Sequence, residues 1–73
     1  GLRGPVTATC TACAAGTDAI GTAVDIIRRG DARAMLAGGA DALITPYFVA
    51  GFDAMRVLSR RNDDPAGAAR PFD

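Results

Sequence analysis

The switch of periodicity at Cys13 constrains this chain more than any other feature. Residues 6–12 alternate Val6, Ala8, Cys10 and Ala12 with Thr7, Thr9 and Thr11, the period of two expected of a strand with one hydroxyl-rich face. From Cys13 the spacing becomes helical and stays so to Arg29. Ile20, Val24 and Ile27 fall at i, i+4 and i+7, and Cys13, Gly16 and Ala23 complete a small-residue face. Asp18, Asp25, Arg28 and Arg29 are placed to point outward. Arg28 and Arg29 suit a helix C-terminus, and Gly30 suits the left-handed position just past it.

The second half repeats the order. Gly4-Pro5, ahead of the first strand, is a turn or strand-entry signal, and Asp31-Ala32-Arg33 is a short connection to the second. Ala34-Met35-Leu36-Ala37 is an apolar run before Gly38-Gly39 and reads as a buried strand. Thr45 followed by Pro46 is an N-cap with proline at the first helical position. Phe48, Val49, Phe52, Met55 and Leu58 then keep helical spacing from Tyr47 to about Leu58. Ser59–Asp73 is polar and reads as a loop, with Arg60, Arg61, Asp63 and Asp64 solvated. Strand, helix, strand, helix is a βαβ unit, normally parallel and right-handed. Two strands and two helices cannot cover both faces of a sheet, so the unit needs the rest of a larger α/β sheet.

Size agrees with that need, because 73 residues make one small, marginal domain at most. The opening Gly1-Leu2-Arg3-Gly4-Pro5 lacks an initiator Met and Arg70-Pro71-Phe72-Asp73 stops abruptly, so a piece of a larger protein is expected. Formal net charge is zero, which leaves no field to attract nucleic acid or an anionic membrane. No charged leader with an apolar stretch and no 18-residue apolar run occurs, so neither a secretory signal nor a membrane span is expected. A cytoplasmic, reducing location is the expectation, since two cysteines three apart make no disulfide scaffold.

Cys10-Thr11-Ala12-Cys13 is nonetheless a C-x-x-C, and it admits three readings. As a thiol–disulfide pair, Cys10 would be the attacking thiol, but it lies within the strand rather than at the helix start. As half a zinc site, it lacks further Cys or His ligands. As a single nucleophile, Cys13 would sit over a helix N-terminus, where free N–H groups and the dipole favour a thiolate. Cys10 would then be a small buried strand residue, and a merely buried Cys13 in a non-catalytic α/β protein remains the plain alternative.

Thr11-Ala12-Cys13-Ala14-Ala15-Gly16, followed by Ile20-Gly21, resembles the nucleophile elbow of the β-ketoacyl synthases, the condensing enzymes of fatty-acid and polyketide synthesis. The resemblance runs on through Ile26-Ile27-Arg28-Arg29-Gly30-Asp31-Ala32 and Met35-Leu36-Ala37-Gly38-Gly39-Ala40-Asp41. It continues in Gly51-Phe52-Asp53-Ala54-Met55-Arg56-Val57-Leu58-Ser59 and ends in Arg70-Pro71-Phe72-Asp73. These ordered motifs span essentially residues 1–73 and are most similar to the elongating acyl carrier protein synthases. Ala14 and Ala15 stand where many relatives have a hydroxyl, which leaves the subfamily open.

The resemblance implies a thiolase-like fold, layered α-β-α-β-α, with residues 1–73 a strand-helix-strand-helix piece of its N-terminal half. It implies that Cys13 accepts the acyl chain as a thioester and that its backbone N–H is one oxyanion-hole donor. Malonyl-acyl carrier protein would lose CO₂ and its carbanion would attack that thioester. No cofactor is implied beyond the phosphopantetheine that carries the substrates on acyl carrier protein. The family's two histidines and lysine cannot lie in a chain without His or Lys, so the piece alone is expected to be inactive. Phe48 and Phe52 match positions lining the acyl tunnel, with plain core packing as their alternative. Arg56 matches a basic position that meets the carrier protein, with an ordinary surface arginine as its alternative. The strand 6–12 resembles the one that pairs across a two-fold axis, so the full-length parent is expected to be a homodimer. Chain elongation in fatty-acid synthesis is the expected function, and the ketosynthase of a type II polyketide system is the alternative within the family.

Overall fold

The computed structural model describes residues 3–73; Gly1 and Leu2, part of the opening run, lie outside them. The chain divides into two units, one ending at Asp41 and one beginning at Ala42.

The first unit is organised by helix α1, Ala15–Arg28, which a 3₁₀ turn, Ala12–Ala14, leads into. Gly16, Ala19, Ala23 and Ile26 define its inner face, of which Ala23 and Ile26 are buried and Gly16 and Ala19 half-buried. The expected stripe of Ile20, Val24 and Ile27 is exposed at 39–54%. The burying face is thus rotated one position from the large aliphatics onto the small residues. Small side chains let backbone come close, and Gly39 approaches Gly16 closely enough that a Cβ on Gly39 would lie 3.3 Å from the Gly16 Cα. The helix ends as the sequence predicts. Gly30 is left-handed at φ +82°, its N–H donates to the Ile27 carbonyl, and the Asp31 N–H donates to the Ile26 carbonyl. That pair of bonds is a Schellman motif, and glycine enters it without a Cβ clash.

The two predicted strands form no β-ladder among the described residues. Val6, Thr7 and Thr9 of the first segment and residues 34–37 of the second instead line one open cleft of about 1120 Å³, together with Ala19 and Ala23 of α1. A strand's hydrogen bonds come from a neighbouring strand, and neither segment supplies them to the other. Val6 and Leu36 are accordingly 94% and 87% exposed. Among the described residues Ala34–Ala37 therefore forms no paired strand and is not buried, with Met35 alone half-buried.

Helix α2, Pro46–Ala54, organises the second unit. Thr45 is extended, and its hydroxyl accepts a long hydrogen bond of 3.5 Å from the Phe48 N–H, with Pro46 at the first helical position. This is the start that the sequence predicts. Its end comes four residues before Leu58. Arg56 turns left-handed at φ +59°, its N–H donates to the Asp53 carbonyl, and the Val57 N–H donates to the Phe52 carbonyl. That is a second Schellman motif with arginine in the glycine position. The polar stretch after it carries a 3₁₀ turn, Pro65–Gly67, and exposed ion pairs Arg60–Asp53 (2.7 Å) and Arg61–Asp64 (3.7 Å). Such pairs are worth at most about 1 kcal/mol each.

Candidate active site

Cys13 is the middle residue of the 3₁₀ turn that runs into α1, and its side chain is exposed. The helical side of the predicted junction is present, shifted so that the cysteine lies two residues ahead of the α-helix proper, while among the described residues no strand precedes it. The first amides of a helix have no carbonyl partner within it, and Cys13 occupies that stretch. The Ala14 N–H already donates to the Thr11 carbonyl and the Ala15 N–H to the Ala12 carbonyl, so what an anion forming beside Cys13 meets is the positive end of the helix dipole.

Three local features hold the turn. Ala12 adopts φ +53°, a left-handed value that costs a non-glycine residue about 1–2 kcal/mol. The Thr9 hydroxyl donates to the Ala15 carbonyl at 3.0 Å. The Thr11 hydroxyl donates to the Asp18 carboxylate at 3.2 Å, and Asp18 lies in the first turn of α1, where negative charge suits the dipole. The sequence marks these threonines only as a hydroxyl-rich face. Their alternation is the signal that could have assigned them as tethers, because period two puts Thr9 and Thr11 on one side. Nothing in the sequence marks Ala12 as left-handed.

Cys10 is also free but exposed rather than buried, and it lies ahead of the turn. A thiol in that place lacks the helix start that activates the attacking cysteine of a redox pair. Among the described residues no group of three or more His, Cys, Asp or Glu side chains could hold a metal ion.

The other candidates belong to the second unit. Phe48 and Phe52 are one turn apart on α2 and line a shallow apolar hollow with Tyr47, Ala50, Gly51 and Met55. The Tyr47 and Phe48 rings meet edge to face, 5.5 Å between centroids and 87° between planes. Phe48 stays 42% exposed and Phe52 is half-buried, so neither is sealed in a core. Arg56, exposed, is the left-handed residue that closes α2, and among the described residues it makes no ion pair.

The family model for the β-ketoacyl synthase N-terminal domain matches residues 1–73. The chain is 55% identical over 73 residues to 3-oxoacyl-[acyl-carrier-protein] synthase 2 of Synechocystis, covering 100% of the chain and 18% of that protein. It is 56% identical over 72 residues to the Staphylococcus aureus protein of the same name, covering 99% of the chain and 18% of that protein. It is 49% identical over 73 residues to the tetracenomycin polyketide synthase ketoacyl synthase alpha subunit of Streptomyces glaucescens, covering 100% of the chain and 17% of that protein. The chain thus spans under a fifth of the length of these relatives.

Proposed function

This chain belongs to the β-ketoacyl synthase N-terminal domain family, and on that premise we propose that it carries the nucleophile of a decarboxylating condensing enzyme. The family implies a thiolase-like fold. Residues 1–73 are read as a strand-helix-strand-helix piece of its N-terminal half, incomplete at both ends. Segments 6–12 and 34–37 are strands of that sheet whose hydrogen-bonding neighbours lie elsewhere in the full-length protein. The exposure of Val6 and Leu36, which line one open cleft, supports this reading.

One observation carries the functional reading: an exposed cysteine on the turn that starts α1. In the proposed reaction the Cys13 sulfur attacks the thioester carbonyl of an acyl chain on acyl carrier protein. The C–S bond to Cys13 forms and the phosphopantetheine thiol leaves, protonated. Malonyl-acyl carrier protein then loses CO₂, and the electron pair of the broken C–C bond attacks the Cys13 thioester. The Cys13 thiolate departs and a β-ketoacyl chain remains on the carrier. The Cys13 backbone N–H is one donor to the oxyanion in both acyl transfers, where a single such donor is worth about 10²–10³ in rate. The attacking carbanion needs histidine and lysine side chains, and this chain has neither.

Phe48 and Phe52 are assigned to the acyl tunnel and Arg56 to the carrier-protein contact. No cofactor is proposed beyond the carrier's phosphopantetheine. A homodimeric, cytoplasmic parent is proposed with them; among the described residues no helix is long and apolar enough to cross a membrane. Fatty-acid chain elongation is the first reading. The polyketide ketosynthase is the second, supported by the 49% identity to the Streptomyces glaucescens alpha subunit.

The test uses the full-length protein. Iodoacetamide or cerulenin is expected to label Cys13, and Cys13→Ala to lower condensation by about 10³-fold or more. An adduct elsewhere with Cys13→Ala fully active refutes the reading. A reversible Cys10–Cys13 disulfide in a dithiothreitol titration would favour thiol–disulfide chemistry instead. The isolated 73 residues are expected to be inactive and to melt without cooperativity.

A further inference from the structure

We infer that Gly39 is a positioning residue for Cys13: its backbone, pressed against Gly16, sets where the first turn of α1 stands. The inference rests on Cys13 being the nucleophile.

Side-chain packing does not fix that turn. The buried residues of α1, Ala23 and Ile26, lie in its second half. Ala15 and Gly16 are only half-buried, and Thr17 and Asp18 are exposed. What touches the start of the helix is the Thr9 hydroxyl on the Ala15 carbonyl, the Thr11 hydroxyl on Asp18, and the backbone of Gly39. Gly16 follows Cys13 by three residues, less than one helical turn, so displacement of Gly16 is passed to the Cys13 amide and sulfur through rigid, hydrogen-bonded backbone.

The contact is asymmetric, which makes it testable. A Cβ on Gly39 would stand 3.3 Å from the Gly16 Cα and 3.6 Å from its N. Those are backbone atoms, so relief requires the helix start and the Gly39 backbone to separate by a few tenths of an ångström, and the inference is that the helix start gives. A Cβ on Gly16 would stand 3.8 Å from the Gly39 N, an ordinary contact. A Cβ on the adjacent Gly38 would meet nothing within 4 Å. None of the three glycines has a left-handed φ, so alanine strains no backbone angle at any of them. Only the close approach separates them.

The experiment compares Gly39→Ala, Gly16→Ala and Gly38→Ala in the full-length protein, all assayed well below their melting temperatures. Three quantities are read: the rate of iodoacetamide alkylation at Cys13, separated from Cys10 by fragment-ion mapping; kcat and KM for condensation; and the melting temperature. Gly39→Ala is expected to slow Cys13 alkylation and lower kcat by about tenfold each, with KM within about twofold, as misplacement by a fraction of an ångström does. Gly16→Ala and Gly38→Ala are expected to stay within about twofold of wild type on every rate, a range in which packing has not moved the reacting group. Wild-type alkylation and kcat in Gly39→Ala overturn the inference, as do equal losses in all three variants. A Gly39→Ala protein that fails to fold while Gly16→Ala folds also overturns it, because Gly39 is then a folding requirement. An active Cys13→Ala protein would instead sink the nucleophile reading, and the alkylation comparison would stand apart from it.

Discussion

Helices α1 and α2 close in the same hydrogen-bonded motif, one on Gly30 at φ +82° and the other on Arg56 at φ +59°. Their starts are reversed in character. α2 begins on Thr45 and Pro46, which suit an N-terminus, whereas the turn into α1 begins on Ala12 at φ +53° with no side-chain cap. Each helix therefore has one end whose residue fits its conformation and one end whose residue does not. The fitting ends start or stop a helix and carry none of the candidate site residues. The misfitting ends adjoin Cys13 in one case and are Arg56 in the other, the two polar residues assigned to chemistry and carrier contact. Left-handed alanine or arginine costs about 1–2 kcal/mol, and such a cost persists where something other than local preference sets the residue.

The largest effect should come at the strained start of α1. Proline at position 12 would demand φ near −65° where the chain holds +53°. Ala12→Pro in the full-length protein is expected to lower condensation by about 10²-fold or more through displacement of Cys13. Full activity in that variant would mean the left-handed turn is incidental, and the contrast between the helix ends would collapse. Next is Gly30→Val, which puts a β-branched residue at φ +82° and should cost about 2 kcal/mol. The melting temperature should fall while kcat per folded molecule holds, because this end only stops a helix. Thr45→Ala should cost about 1 kcal/mol or less, as expected for a long cap bond, again without touching kcat. A loss of kcat in either variant would blur the distinction between fitting and misfitting ends.

The same contrast explains what the sequence discloses. Gly30 and the Thr45-Pro46 pair are readable because each residue type favours the conformation it holds. Apolar spacing carries α2 on to Leu58, yet the helix stops at Ala54, because spacing reports a shared face and not the backbone bonds that Arg56 redirects. Helical spacing likewise places α1 and its small residues Gly16 and Ala23, but not the large aliphatic that is buried, which is Ile26. Ile20, Val24 and Ile27 are the larger hydrophobes, while close backbone approach needs Gly16, Ala19 and Ala23. Residues 6–12 and 34–37 have strand-like composition, but pairing is a property of two segments, and these line a cleft without meeting. At the site, the change of period locates Cys13 directly. The two glycines Gly38 and Gly39 suggest close packing in general, whereas the sequence names neither the partner, Gly16, nor which glycine makes the contact.

Arg56 gives the smallest effect and the sharpest test. Glycine at that position relieves the left-handed cost at the end of α2, although the more flexible unfolded chain takes back part of the gain. The net expectation for Arg56→Gly is stabilisation by about 0.5 kcal/mol, read as a small rise in melting temperature. If Arg56 is kept for its charge, the gain carries a functional loss: KM for acyl carrier protein should rise several-fold, kcat should hold, and the effect should shrink as salt screens the exposed guanidinium. Arg56→Ala separates the two contributions, since it loses the charge and keeps the left-handed strain. It should raise KM as much as glycine does and leave the melting temperature near wild type. Were Arg56→Gly more stable with an unchanged KM, the misfit at this end would have no use. The parallel with Ala12 would then fail, leaving the turn at Cys13 as the one place where strain and function coincide.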